Sequence, residues 1–179
     1  MSERRNALVT GPPRSGKTTV IERTVSLVRE DGLTVGGISC PEIREDGERV
    51  GFEIVDLAGG ERATMAHVDC TSGPSVGKYR VDVAAVDRVA GEAISRARAD
   101  ADCIVIDEIA PMELASDRFV RETRRALEAP VPVLAAIKYG SRDGFLGEVK
   151  SRDDIEVFEV SPETRDRLPE TLLEWIRSR

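Results

Sequence analysis

The sequence predicts an α/β domain in which a largely parallel β-sheet is covered by helices on both faces. Short apolar runs alternate along the chain with stretches of helical periodicity, which is the pattern of such sheets. The pattern G-x-x-x-x-G-K-[ST] stands at residues 11–18, directly after the apolar run Ala7–Val9. A later run, Cys103–Ile106, ends in two adjacent carboxylates. Since parallel strands end at the same edge of a sheet, these two segments are expected to meet there.

The first half of the chain is predicted to form one helix followed by a β-rich section. Apolar side chains recur at helical spacing after the first strand, up to a stop signal at Asp31-Gly32; they are Val20, Ile21, Thr24, Val25 and Val28. Two later strands are expected to join across the charged turn 45–47, and a short third strand follows. These strands are Val35–Ser39, Val50–Val55 and Ala63–Val68, and Asp69–Arg80 is expected to be a polar loop.

The second half is predicted to alternate helices with buried strands. A helical stripe opens it, formed by Val83, Val86, Ala90, Ala93, Ile94 and Ala97. The elements expected after it are a strand at Cys103–Ile106, a helix over Glu113–Glu128, a strand at Val131–Ile137, a polar loop at Ser141–Gly147, a strand at Ile155–Val160, and a helix that begins near Ser161-Pro162 and buries Leu168, Leu172, Leu173 and Ile176.

Composition and charge limit the class of protein. A content of 40% hydrophobic and 33% charged residues is typical of a globular chain, and 179 residues without a linker indicate one domain, 1–179. The net charge of −7 argues against nucleic acids and anionic membranes as partners. The three cysteines have no paired spacing, and the sequence has no signal-type apolar region and no run as long as a membrane span. We therefore expect a cytoplasmic monomer.

The segment 11–18 has the residues needed to bind a triphosphate. Gly11 and Gly16 allow the backbone to curl so that its N–H groups point at phosphate oxygens, and the following helix adds its positive dipole end. Lys17 supplies a charge for the β- and γ-phosphates, while the Thr18 hydroxyl can bind Mg²⁺. The predicted nucleotide-binding segment also includes Pro12, Pro13, Arg14, Ser15 and Thr19.

The carboxylate pair supplies the second half of the predicted site. Asp107 stands at the end of the strand, where it is expected to anchor Mg²⁺ through a coordinated water. Glu108 is placed to orient the attacking water or to accept its proton. Ile106 precedes the pair and is included among the nucleotide-binding residues. Mg²⁺ is thus the predicted cofactor, and Lys17 and Glu108 are the predicted catalytic residues.

Several segments together resemble the THEP-type nucleoside-triphosphatases. They are Gly-Pro-Pro-Arg-Ser-Gly-Lys-Thr at 11–18, Val-Gly-Lys-Tyr at 76–79, Val-Ile-Asp-Glu-Ile at 105–109, Met-Glu-Leu at 112–114 and Ser-Pro-Glu-Thr-Arg at 161–165. The resemblance implies a P-loop NTPase with a RecA-like core that slowly hydrolyses ATP, GTP and other nucleoside triphosphates with little base preference. The chain departs from the family pattern at Ala110-Pro111, where glycine and a lysine-like residue are usual, and at Thr164, where asparagine is usual.

Other motifs leave alternatives open. Asp56–Gly60 imitates the D-x-x-G signal of a switch GTPase, but the guanine-reading N-K-x-D segment is missing, so a turn between strands is favoured. His67, Asp69 and Cys70 offer too few ligands for a metal site and are expected to lie at a loop edge.

Two further groups of residues could take part in the site. Lys78, Tyr79 and Arg80 could reach the phosphates or stack on a base, or could simply lead into a helix with solvated charges. An arginine that stabilises the transition state could be Arg14, Arg80, Arg142 or Arg165.

The same residues are compatible with two functions other than hydrolysis. A nucleotide or small-molecule kinase would need an acceptor pocket with a mobile lid, for which Ser141–Lys150 is the candidate segment. A nucleotide-responsive binding module would bind tightly and turn over very slowly. The principal prediction is hydrolysis of nucleoside triphosphates to the diphosphate and phosphate.

Overall fold

The computed structural model describes residues 3–179, and in this part of the chain ten strands form one sheet. The strands are β1 Asn6–Thr10, β2 Val35–Ser39, β3 Glu42–Glu45, β4 Glu48–Asp56, β5 Arg62–His67, β6 Ser75–Val76, β7 Tyr79–Val81, β8 Cys103–Ile109, β9 Val133–Ile137 and β10 Ile155–Glu159. The helices are α1 Lys17–Glu30, α2 Val83–Asp100, α3 Pro111–Leu114, α4 Asp117–Glu128, α5 Gly144–Lys150 and α6 Leu168–Arg177.

Five strands form the parallel core of the sheet, in the order β10-β1-β9-β8-β2. The phosphate-loop strand β1 and the carboxylate strand β8 are therefore separated by β9, which pairs with both of them. Their carboxyl ends point the same way. The predicted parallel core is confirmed, and it gathers the loops after β1, β8 and β9 at one edge.

An antiparallel extension continues from β2 through β4, β5, β7 and β6. The prediction that β2 and β4 form a hairpin across the turn 45–47 is wrong, because that turn joins β4 to β3. Three residues of β3 are exposed, so it lacks the buried face that would have revealed it. The segment predicted as a polar loop, Asp69–Arg80, contains the short strand β6 and most of β7.

Helices cover both faces of the parallel core, as predicted. On one face α1 and α6 pack over Val9, Val105 and Leu134. On the other, α2 and α4 pack over Leu8, Ile104 and Ile106. The five apolar positions predicted for α1 are its buried residues, and Trp175 of α6 is buried in the core. Among residues 3–179, no helix combines the length and apolar character required to cross a bilayer.

Three helix boundaries differ from the predictions. The helix expected over Glu113–Glu128 is two helices, because Ser116 caps α4 by accepting a hydrogen bond from Phe119 N–H at 2.9 Å. The last helix begins at Leu168 rather than near Ser161, since residues 161–167 form a turn around Thr164, whose hydroxyl accepts from Ser161 N–H at 2.9 Å. The loop expected at 141–147 contains the start of α5.

Candidate active site

The loop between β1 and α1 has the conformation of an anion-binding cradle. Ser15 N–H donates to the Pro12 carbonyl at 3.1 Å, and Gly16, at φ 101°, turns the chain into α1. Left-handed backbone of this kind favours glycine. The first turn of α1 has no acidic side chain, and no side chain caps it. Its N–H groups and its positive dipole end therefore remain available to a phosphate.

The Ser15 hydroxyl is a second feature of this loop that suits a phosphate. In the described part of the chain its hydroxyl oxygen is buried without a hydrogen-bond partner. Buried polar groups are nearly always hydrogen-bonded, so an orphan in this position calls for an acceptor or donor from outside the protein. A phosphate oxygen within the loop would satisfy it.

The carboxylate pair meets the phosphate loop at the carboxyl edge of the sheet, as the strand pattern predicted. The Lys17 ammonium lies 3.5 Å from the nearer Glu108 carboxylate oxygen. Asp107 is 5% exposed, and the Thr18 hydroxyl interacts with its carboxyl group. Lys17, Thr18, Asp107 and Glu108 thus form one cluster.

Strand β8 is longer than predicted, because it continues through both carboxylates to Ile109. Successive side chains of a regular strand point to opposite faces, which would separate Asp107 from Glu108. The register against β9 shifts between Ile106 and Ile109, so one extra residue of β8 is accommodated there. A bulge re-aims side chains, and here both carboxylates reach the phosphate loop. The peptide bond joining them is cis.

The electrostatics of the cluster favour a bound cation. The pKa of Asp107 is raised to about 7, chiefly by burial and then by the nearby charges of Glu108 and Glu22, while Thr18 and Lys17 partly oppose the rise. A cation bound next to a buried carboxyl group stabilises its ionised form. The hydroxyl of Thr18 and the carboxylate of Asp107 are hard oxygen donors, which suit Mg²⁺.

Two titratable groups beside the site, a partly buried thiol and a buried carboxyl group, are not predicted from the sequence. Cys40 follows β2, and Glu113 stands in the first turn of α3. Burial raises the pKa of both side chains well above their ordinary values, and the charges of Asp107 and, for Glu113, of Glu108 contribute. One carboxyl oxygen of Glu113 has no partner in the described residues. The available signals were the Met-Glu-Leu segment and the position of Cys40 directly after a strand of the same edge.

The structure does not bring Lys78, Tyr79 and Arg80 to this cluster. They begin at the edge of β7, which stands six strands from β1 in the sheet order. Tyr79 packs edge-to-face on Phe52 at 5.4 Å and accepts a hydrogen bond from Arg49 at 2.9 Å. Arg80 donates to the Gly73 carbonyl at 3.0 Å. These contacts stabilise the antiparallel extension.

Arg165 lies in the turn after β10, next to the start of the phosphate loop. Val160 N–H donates to the Thr10 carbonyl at 2.8 Å, which ties this turn to the end of β1. Thr164, the departure from the family pattern, donates to the Glu159 carbonyl at 2.8 Å and shapes the turn. The other departure, Ala110-Pro111, begins α3, where proline needs no N–H partner.

The competing motifs have structural explanations. Asp56 accepts hydrogen bonds from the N–H groups of Ala58 and Gly59, both at 3.0 Å, and pairs with Arg96 of α2. It therefore organises the predicted turn between β4 and β5. His67 ends β5 and accepts from Asp69 N–H at 3.1 Å.

Comparison with known proteins decides the family. The family described as NTPase matches residues 6–173. The nucleoside-triphosphatase THEP1 of Methanothermobacter thermautotrophicus is 45% identical over 161 residues, which cover 90% of each chain. That of Methanopyrus kandleri is 43% identical over 179 residues, covering 97% of this chain and 98% of the relative. The chain belongs to the THEP1 nucleoside-triphosphatase family.

Solved structures agree with this assignment. THEP1 from Aquifex aeolicus superposes with a TM-score of 0.84 at 29% identity, covering 96% of this chain and 98% of that one. A human cancer-related nucleoside triphosphatase superposes with a TM-score of 0.82 at 31% identity, covering 97% and 98%. The P-loop NTPase fold and the hydrolase activity predicted for this THEP1 relative are confirmed. The kinase alternative gains no support from these relatives.

Proposed function

We propose that this THEP1 relative hydrolyses nucleoside 5′-triphosphates of several bases in a Mg²⁺-dependent reaction, releasing the diphosphate and phosphate. The observation that carries the proposal is the 3.5 Å approach of Lys17 to Glu108. This contact supports a single site that contains both the phosphate cradle and a carboxylate able to handle water.

Each part of the site has a separate role in hydrolysis. The backbone N–H groups of residues 14–18 hold the triphosphate, and Lys17 neutralises the β- and γ-phosphates. Glu108 orients a water molecule in line with the γ-phosphorus and accepts its proton. Attack forms the bond from the water oxygen to phosphorus, and the bond to the bridging oxygen breaks with its electron pair passing to the diphosphate. The proton then passes from Glu108 to the products, which restores the carboxylate.

Mg²⁺ fits the donors present, since Thr18 and the buried Asp107 supply oxygen ligands. When bound there, it would neutralise charge on the phosphate oxygens. All the groups named come from a single chain, which is consistent with a monomer as the working unit.

Broad base specificity is supported by the kind of groups that the cradle offers to a nucleotide. The cradle binds phosphate through backbone groups, which are the same for every nucleoside triphosphate. The segment after β9 reads Lys138-Tyr139-Gly140-Ser141, so a guanine-reading N-K-x-D segment is not present there. A site that holds the triphosphate and leaves the base unread discriminates weakly between bases.

Phosphate release tests the proposal. The chain is incubated separately with ATP, GTP, CTP and UTP, with Mg²⁺ or with excess EDTA, and both products are quantified. We expect diphosphate and phosphate in equal amounts, kcat/KM within about tenfold across the four bases, a free-energy difference of about 1.4 kcal/mol, and loss of activity in EDTA. Diphosphate without phosphate in the presence of an added nucleoside monophosphate or sugar would indicate a kinase and contradict the proposal.

A further inference from the structure

The loop after β9 occupies the position closest to both halves of the site. Strand β9 is paired with β1 on one side and β8 on the other, so its carboxyl end emerges between the phosphate loop and the carboxylates. Lys138 N–H donates to the Ile109 carbonyl at 3.1 Å, which holds the start of the loop against the end of β8. We call residues 138–143 the β9 loop.

Helix α5 packs against the β9 loop and donates hydrogen bonds to its backbone. The Lys150 ammonium donates to the carbonyls of Lys138 at 2.7 Å and Ser141 at 2.5 Å. A Cβ at Gly147 would lie 2.0 Å from the Arg142 carbonyl oxygen, so α5 packs directly on the loop backbone at Arg142. Helix α5 is itself held by a two-pronged bond from Arg124 of α4 to Glu148, at 2.7 and 2.9 Å.

Positive charges converge at this contact. Burial lowers the pKa of Lys150, and the positive charges of Arg142, Lys17 and Lys138 lower it further. Arg142 directly follows Ser141, whose carbonyl accepts from the Lys150 ammonium, so Arg142 lies next to this charge in the loop. Arg142 is an exposed residue of this loop. Lys17 faces Glu108, while Arg142, Lys138 and Lys150 add further positive charge at this end of the site, which is suited to a polyanion.

The placement of the other candidate arginines is less suitable. Arg80 donates to Gly73 in the antiparallel extension. Arg165 follows β10, which lies on the opposite side of β1 from β8 and Glu108. Arg14 belongs to the phosphate loop itself, at φ 63°. Among the loops of residues 3–179, it is the β9 loop that leaves the sheet between the phosphate-loop strand β1 and the strand β8 that carries Glu108.

We propose that Arg142, positioned by Lys150, contacts the γ-phosphate and stabilises the charge that develops on it in the transition state. The proposal rests on the hydrolysis proposed above and adds a catalytic arginine supplied by the same chain. As the bond to the bridging oxygen breaks, negative charge shifts over the γ-phosphoryl and diphosphate oxygens. A guanidinium held in advance at that position stabilises the charge without reorganising during the reaction.

Three variants test the assignment: Arg142→Ala, Arg142→Lys and the control Arg88→Ala, which removes an exposed arginine from α2. Measurements are kcat and KM for ATP, ATP affinity by calorimetry, and affinity for ADP with aluminium fluoride as a transition-state analogue. We expect Arg142→Ala to lower kcat by about 10²–10³-fold and the analogue's affinity by a similar factor. Its ATP affinity should change by less than about fivefold, or about 1 kcal/mol. The kcat of Arg142→Lys should lie between those of the parent and Arg142→Ala. Added guanidinium ion should partly restore the kcat of Arg142→Ala.

Lys150→Met provides a separate check on positioning. It removes the two hydrogen bonds to the β9 loop, while the Arg142 side chain itself is unchanged. We expect a smaller loss of kcat than in Arg142→Ala, an ATP affinity close to the parent's, and no recovery with guanidinium ion, because the side chain is still present.

The outcomes separate the two proposals. If the parent chain releases no phosphate, both proposals are overturned. If the parent is active and Arg142→Ala matches Arg88→Ala in kcat and in affinity for the aluminium fluoride complex, the arginine assignment alone is overturned. A loss of ATP affinity with kcat unchanged would also overturn it, since Arg142 would then serve ground-state binding.

Discussion

Replacing Glu108 by glutamine should separate nucleotide binding from turnover. The Glu108 side chain is one-third exposed, and its ion pair with Lys17 spans 3.5 Å. Partly solvated pairs of this kind contribute at most about 1 kcal/mol to folding, so Glu108→Gln should remain folded. The amide keeps the shape of the carboxylate but cannot accept a proton from water. Loss of a general base costs about 10²–10⁴-fold in rate, which corresponds to about 3–5 kcal/mol of activation free energy.

The ATP affinity of Glu108→Gln should increase or stay unchanged, although its turnover falls. Removing a negative charge near the triphosphate relieves a repulsion of about 1 kcal/mol, so ATP should bind up to about fivefold more tightly. Single-turnover phosphate release gives the chemical step, and calorimetry with a non-hydrolysable ATP analogue gives the affinity. Glu45→Gln, at an exposed position at the end of β3, is the matched control. Single-turnover rates for Glu108→Gln within threefold of the control would refute the role given to this carboxylate.

Two further predictions concern residues outside the phosphate cluster. Burial raises the pKa of Glu113 well above 4.5 in the folded chain, so folding retains its proton and stability falls as the pH rises from about 4.5 toward the folded pKa. Glu113→Gln cannot lose this proton, and urea unfolding from pH 5 to 8 should show the variant gaining on the parent by up to about 1.4 kcal/mol per pH unit in that window; a constant difference would contradict the reasoning. Tyr79→Phe should lose about 1 kcal/mol of stability with the Arg49 hydrogen bond, while its KM for ATP stays unchanged. A change of more than threefold in KM would contradict this prediction and indicate that Tyr79 contacts the nucleotide.

Local sequence was sufficient wherever the determinants lie close together in the chain. Strand β1, the phosphate loop and α1 are contiguous, and the apolar spacing of α1 predicted each of its buried residues. The carboxylate pair was recognised because a wholly apolar strand precedes it. Its approach to the phosphate loop followed from the rule that parallel strands end at one edge, so the nucleotide site was predictable in outline.

The sequence was insufficient to predict structure where a contact joins distant segments, or where an element lacks or interrupts the regular spacing of apolar residues. The strand β3 has no buried face, and Ser116 interrupts what reads as one continuous helix. Lys78, Tyr79 and Arg80 follow a glycine as a phosphate-binding segment would, yet the order of the strands carries them away from β1. No periodicity contains information about strand order.

The phosphate cradle, the carboxylate pair and the parallel sheet that joins them can be read from the amino-acid order, because each depends on residues adjacent in the chain or on a general rule of strand packing. That Asp107 and Glu108 reach the same side follows from the folded molecule, through the irregular pairing of β8 with β9. The folded molecule also places Lys150 against the β9 loop beside them. These features depend on hydrogen bonds between segments far apart in sequence, whose partners are specified only once the chain has folded.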